Sequence, residues 1–409
     1  MRAIRFLKYN IRGGFLGNPA TFWCVAGALN LVMIGANLQT PLYSTYQHRF
    51  GFSEVTVTLI YATYTAGTLL ALLVLGRLSD QIGRRVTALP ALGLMAVSTV
   101  LFIFTTNVAM LFIARAISGF AVGLISGTTT AWLVDLAGQD HLSWASFVAS
   151  TDNLLGLGLG PLFAGLLAQY LPMPTKLVYF CYLAIIAGGL LLLWMAAETV
   201  ERADGPISLA PRLGVPKELR GQFISPAATI FAVFALAGLF SGLIPSILSK
   251  HLHDKNHALA GAVVLAFDGS GVLASILFYW LKSNWTTLLG AALMPPALAL
   301  VVLALPEKSL AILLCGTILG GMALGLGFRG SLQVVNQMAP GKQRAEVVST
   351  YFVVAYIAIA LPVIGVGVLS KLAGAFAANV TFAIVIAGLA IMAVVAGCVF
   401  PPKIDQNAS

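Results

Sequence analysis

The sequence predicts an all-α membrane protein of twelve transmembrane helices, and three observations carry that prediction. Only 9% of the 409 residues are charged, while 59% are hydrophobic. Apolar runs of about twenty residues recur along the whole chain, each long enough to cross a hydrocarbon core of about 30 Å as a helix. The runs lack the apolar/polar alternation of barrel strands, so a helix is the form that satisfies their backbone groups within lipid.

The runs lie at 21–45, 54–75, 87–105, 109–133, 142–168, 177–197, 225–249, 258–281, 286–305, 309–335, 346–370 and 378–400. Residues 1–20 precede them with Arg2, Arg5, Lys8 and Arg12. The apolar run that follows is too long for a signal peptide and lacks a clear cleavage site, so 1–20 reads as a basic cytoplasmic segment beside the membrane. One long polar stretch, 198–224, carries Glu201, Arg202, Asp204, Arg212, Lys217, Glu218 and Arg220 with three prolines. It divides the spans into two six-helix bundles, 21–197 and 225–400, joined by a cytoplasmic linker, with 401–409 as a tail. Cys24, Cys181, Cys315 and Cys398 fall in different apolar runs and show no disulfide or metal spacing.

The net charge of +9 could suggest nucleic acid, but its distribution points to the bilayer. With both termini in the cytoplasm, 15 of the 23 Lys and Arg lie on that face and 6 on the other, with Arg115 and Arg329 inside helices. Such an excess marks the cytoplasmic side of a multi-pass protein of the inner membrane. The lipid bilayer is the expected partner, with no nucleic acid, and a monomer is expected.

The loop after the second span reads Gly76-Arg77-Leu78-Ser79-Asp80-Gln81-Ile82-Gly83-Arg84-Arg85. It resembles, at every defined position, the Gly-x-Leu-Ala/Ser-Asp-x-x-Gly-Arg-Arg/Lys loop between helices 2 and 3 of major facilitator superfamily transporters. The resemblance extends along the chain. Gly35 and Pro41 are similar to the family's Gly-x5-Pro element in helix 1. Arg115-x-x-Ser118-Gly119 is similar to a helix 4 element of proton-coupled members. Gly156-x3-Gly160-Pro161-x-x-Ala164-Gly165 is similar to the helix 5 element of drug–proton antiporters. That last element departs at Ala164 and Phe147, where glycines are usual, which weakens the case for multidrug specificity. The resemblance implies the major facilitator fold, with no cofactor and the proton as coupling ion.

A weak internal repeat agrees with two halves: Pro41 pairs with Pro245 at an offset of 204, and Pro161 with Pro362 at an offset of 201. Gly156, Gly160, Pro41, Pro161, Pro245 and Pro362 are therefore the expected helix-bending positions around a central site. For the basic loop, the resemblance implies that Asp80 faces the start of the eleventh helix near Arg344 and Ala345. It also implies that Arg84 or Arg85 pairs with Asp135. Gly76, Asp80, Gly83, Arg84, Arg85 and Asp135 then form a gate.

Ionisable groups deep in a helix cost at least about 2.5–3.5 kcal/mol each, so those retained face an interior. Three qualify. Arg115 lies about 9 Å inside the fourth helix and Asp152 about 15 Å inside the fifth, within an arginine's reach of each other. Their pair is the expected proton switch, since its charge state would respond to substrate and to separation. Asp268, mid-way along the eighth helix, is the second expected proton carrier. Arg329 is expected to pair with Glu346 as a further gating contact. Asn37, Gln39, Tyr43, Tyr61 and Tyr64 on the first two helices are the candidate lining of a substrate cavity, although such groups also join membrane helices to one another.

His251-x-His253-Asp254-x-x-His257 has a spacing at which imidazoles hold Zn²⁺; a solvated loop is the commoner meaning, and no metal site is expected. No Walker-type phosphate loop and no nucleophile–base pair appears, so neither direct ATP drive nor an enzyme is expected. The function implied is secondary transport by alternating access: efflux of a small organic molecule in exchange for protons. The alternative is a proton symporter or facilitator importing a sugar, organic acid or siderophore-like solute.

Overall fold

The computed structural model describes residues 16–138, 141–200, 213–252, 254–339 and 343–401. The described residues are mostly helical, and among them twelve helical stretches are long and apolar enough to cross a membrane. In chain order the helices are α1 Asn18–Asn37, α2 Tyr43–Phe50, α3 Glu54–Leu75, α4 Leu78–Ile82, α5 Arg84–Ile103, α6 Val108–Ala137 and α7 Leu142–Tyr170. They continue as α8 Pro174–Met195, α9 Arg220–His251, α10 His257–Leu277, α11 Ser283–Glu307, α12 Leu310–Met338, α13 Arg344–Ala373 and α14 Ala375–Val399.

Local chemistry sets the ends. Asn107 starts α6 by accepting from the Met110 amide at 3.0 Å, and Asn256 starts α10 by accepting from Ala258 and Leu259 at 2.8 and 3.1 Å. Each supplies an acceptor to amides that have no intrahelical partner. Glycine ends α6 at Gly138 (φ 78°) and separates α13 from α14 at Gly374 (φ 88°).

The first span is interrupted. α1 stops at Asn37, a 3₁₀ turn covers Thr40–Leu42, and α2 begins at Tyr43. Pro41 explains the interruption, because it has no amide to donate and its ring collides with the carbonyl four residues back. Its repeat mate behaves otherwise: α9 runs unbroken through Pro245, as α7 does through Pro161 and α13 through Pro362. The sequence repeat therefore does not extend to a repeated break. Neighbouring helices and polar side chains can re-satisfy the groups freed by a membrane proline.

The described residues form two compact units, one within Met1–Leu42 and Ala66–Pro211, the other within Tyr43–Thr65 and Arg212–Ser409. The grouping follows packing, not chain order at 198–224, since α2 and the first part of α3 pack with the C-terminal helices. In the first unit α7 lies on α1: a Cβ added at Gly160 would stand 2.2 Å from the Ile34 carbonyl oxygen, and one at Gly156 2.6 Å from Met33 Cβ. These glycines are contact points between helices, a use that small residues commonly have in lipid. In the second unit α10 and α12 approach as closely, with Gly321 against the Phe267 carbonyl and Gly325 against that of Gly271.

Candidate functional site

The basic loop is built around Arg84, whose side chain is almost buried. Gly83, at φ 114°, turns the chain from α4 into α5. Arg84 Nη1 then donates to Asp80 and, at 2.8 Å, to Ser79, while Nε donates to Asp135 Oδ2 at 2.9 Å. One guanidinium thus joins α4, α5 and α6, using the forked geometry that distinguishes arginine from lysine. Gly76, at the end of α3, sits 2.4 Å (measured from an added Cβ) from the Leu72 carbonyl, so a side chain would be crowded there. The side chains of Arg344 and Ala345, the expected partners of Asp80, lie outside the described residues.

Glu198 is a member of this cluster that the motif does not contain. Its Oε1 accepts from the backbone amides of Arg84 (2.8 Å), Thr199 (3.0 Å) and Val200 (3.2 Å), and Oε2 from that of Arg85 (2.9 Å). A carboxylate here meets the unsatisfied amides and the positive dipole end of α5. A Cβ at Gly83 would come 2.7 Å from Glu198 Oε2, so the loop glycine also makes room for the acid. Arg85 turns to the opposite pole, donating to the Trp194 and Ala196 carbonyls at the C-terminal end of α8 at 3.3 and 3.1 Å. The only sequence signal for Glu198 was an acid standing directly after an apolar run.

The two intramembrane arginines depart from expectation in the same way. Arg115 Nη1 donates at 2.6 Å to the Ala36 carbonyl, one of the last four of α1. Asp152 is held by Asn30 and not by Arg115: Asn30 Nδ2 donates to Asp152 Oδ1 at 3.0 Å and to the Asp152 carbonyl at 3.1 Å. The expected Arg115–Asp152 pair is therefore corrected. Pro41 ends α1 early, and the carbonyls it leaves open draw the cation.

Arg329 likewise does not take Glu346. Its Nη1 and Nη2 donate to the Ser275 and Phe278 carbonyls at the C-terminal end of α10, at 2.6 and 2.8 Å. Its guanidinium also lies 5.8 Å from the centre of the Tyr279 ring. Glu346 stands in the first turn of α13, where its backbone carbonyl accepts from Thr350 Oγ1 at 2.9 Å.

Each unit buries an aspartate oxygen with no hydrogen-bond partner among the described residues: Asp152 Oδ2 in one and Asp268 Oδ2 in the other. Asp268 as a residue is only 3% exposed. Such an oxygen is buried and meets no described protein donor, an arrangement costly to leave unmet.

The candidate lining residues are all buried. Asn37 donates to the Leu157 carbonyl at 3.4 Å, and Gln39 Oε1 has no described partner. Those two belong to the first unit; Tyr43, Tyr61 and Tyr64 belong to the second, where the rings of Tyr61 and Tyr64 are 6.0 Å apart. An apolar cleft in the first unit is lined by Leu31, Ile34, Phe163 and Tyr182, and the Tyr182 hydroxyl is committed to the Leu31 carbonyl at 2.6 Å. Of the histidine loop, His253 and the side chain of His251 lie outside the described residues; His257 Nε2 is 3.4 Å from Thr45 Oγ1.

Comparison with known proteins follows the same lines. An uncharacterized transporter of Rickettsia felis is 34% identical over 267 residues, covering 53% of this chain and 63% of that one. The quinolone resistance protein NorA of Staphylococcus aureus is 22% identical over 252 residues, covering 60% and 62%. The chain thus spans just under two thirds of the length of these relatives. Among solved structures, a bacterial homologue of the human lysosomal transporter Spinster, crystallised inward-facing and occupied, superposes with a TM-score of 0.73 at 14% identity. The match covers 95% of this chain and 98% of that one, and shows the shared fold. A family model described as Major Facilitator Superfamily matches residues 25–363. With twelve apolar helices, the superposed fold and that match, the chain belongs to the major facilitator superfamily of secondary transporters.

Proposed function

We propose that this transporter exports a small organic molecule in exchange for protons, by alternating access, across the cytoplasmic membrane with both termini inside. The observation that carries the reading is the pair of unpartnered carboxylate oxygens, Asp152 Oδ2 and Asp268 Oδ2, one in each unit. An acceptor kept from water in a membrane helix is stabilised by binding a proton or a cationic donor, and competition between the two is the basis of exchange. Asn30 occupies one oxygen of Asp152 and leaves the other for that competition. Arg115 serves the reading by holding the interrupted end of α1, and Arg329 by holding the end of α10. Similarity to a quinolone resistance protein supports a drug-like organic cargo. The mixed amide and aromatic character of Asn37, Gln39, Tyr43, Tyr61 and Tyr64 suits such a molecule.

The test is transport by purified protein in proteoliposomes with an imposed pH gradient. Antiport drives cargo toward the acidic side as protons leave it, while the alternative, symport, drives cargo the other way. Asp152→Asn is expected to remove the response to the gradient while substrate binding stays within about threefold, since the amide keeps the shape but no longer takes up a proton. A gradient response that survives moves the coupling to Asp268, and survival in Asp268→Asn as well ends the reading.

A further inference from the structure

The geometry points to Glu54 as the gating residue at the end of the membrane opposite the Arg84 loop, where its carboxylate ties the start of α3 to α9 and α13. The inference rests on the alternating-access reading above. Glu54 opens α3, and the Gly76 loop closes it 22 residues later, about 33 Å away along the helix. One oxygen of Glu54 accepts from Ser246 of α9, and the other accepts from Ser370 of α13 at 3.1 Å. A single side chain thus bridges two helices through charge-assisted bonds.

The bridge stands at the mouth of a longer seam. Thr58 and Tyr61 follow Glu54 at helical spacing, so all three share one face of α3. Opposite them are small residues: a Cβ at Gly367 would lie 2.7 Å from Thr58 Oγ1, and one at Gly242 would lie 3.7 Å from the Tyr61 ring. Packing against glycines along this face holds α3 by shape, and Glu54 adds the polar closure at its end. Hydroxyl–carboxylate bonds are readily replaced by water, so the closure is reversible, as a gate requires.

The experiment uses the full chain in cells, with Cys24, Cys181, Cys315 and Cys398 replaced by alanine. Asn379→Cys is the reporter: Asn379 is 6% exposed and lines the same pocket as Glu54, Ser246 and Ser370. Glu54→Ala is expected to raise labelling of that cysteine by a membrane-impermeant maleimide roughly tenfold, with Glu54→Gln between it and the parent. Unchanged labelling in Glu54→Ala overturns the assignment. A second measurement is independent of that equilibrium. Glu54→Cys with Ser370→Cys, bridged by a short bifunctional thiosulfonate, is expected to stop transport until reduced. Full transport while bridged overturns it too. A Gln81→Cys reporter at the other end separates the two ideas. Substrate-driven labelling that moves oppositely at the two ends, but ignores Glu54, sinks the gate alone. Labelling that rises at both ends together sinks alternating access itself.

Discussion

Arg115 and Arg329 use one device, each donating to backbone carbonyls at the C-terminal end of a neighbouring helix. Arg85 does the same at α8, and Glu198 does the converse at the N-terminus of α5. In lipid an open helix end is expensive, and a charge that meets it relieves two costs together. Glu198→Gln replaces one accepting oxygen with an NH₂ that faces backbone donors. We expect a loss of about 1.5–3 kcal/mol, the range for hydrogen bonds to charged groups, read as a lower thermal midpoint in detergent. Asp80→Asn acts on the same cluster from its exposed side, where Asp80 is 58% exposed. It should slow transport several-fold while membrane insertion and abundance stay normal, since the amide weakens only the bond to Arg84. Normal transport by Asp80→Asn would overturn the gating role that the resemblance implies for the loop.

At the scale of helices, glycine also serves close approach. Gly156 and Gly160 are expected bending positions, and both press on α1 from α7, which runs unbroken. Spacing could not distinguish the two uses, because both need a residue without a side chain. Gly160→Val tests this directly. The added carbons would meet the Ile34 backbone, which cannot rotate away, so we expect destabilisation at or above the usual 1–3 kcal/mol of overpacking. The measurement is the thermal midpoint of the purified variant, and a midpoint equal to the parent's would count against the close contact with Ile34. Pro41 shows the other limit of spacing. It interrupts its helix while Pro245 does not, although the two match at an offset of 204.

At the scale of the molecule, the twelve apolar runs coincide with the twelve membrane-length helices to within a few residues at most ends. Single-cysteine labelling from each side should therefore find twelve crossings, with positions in 198–224 reached only from the cytoplasm. A different count, or an external linker, would refute the proposed orientation. The candidate site was less legible. Arg84 and Asp135 were foreseen through the family loop, but Glu54, Glu198 and the bond from Asn30 to Asp152 were not, because each is an ordinary polar residue until its partner is known.

The number of crossings, their order and the basic loop follow from the sequence alone, because lipid penalises each polar group where it stands and leaves that penalty in the residue pattern. Which group each buried charge meets was decided only in three dimensions. The partners are carbonyls and amides at helix ends, groups that every residue but proline carries in full, so only the packing of helices selects among them.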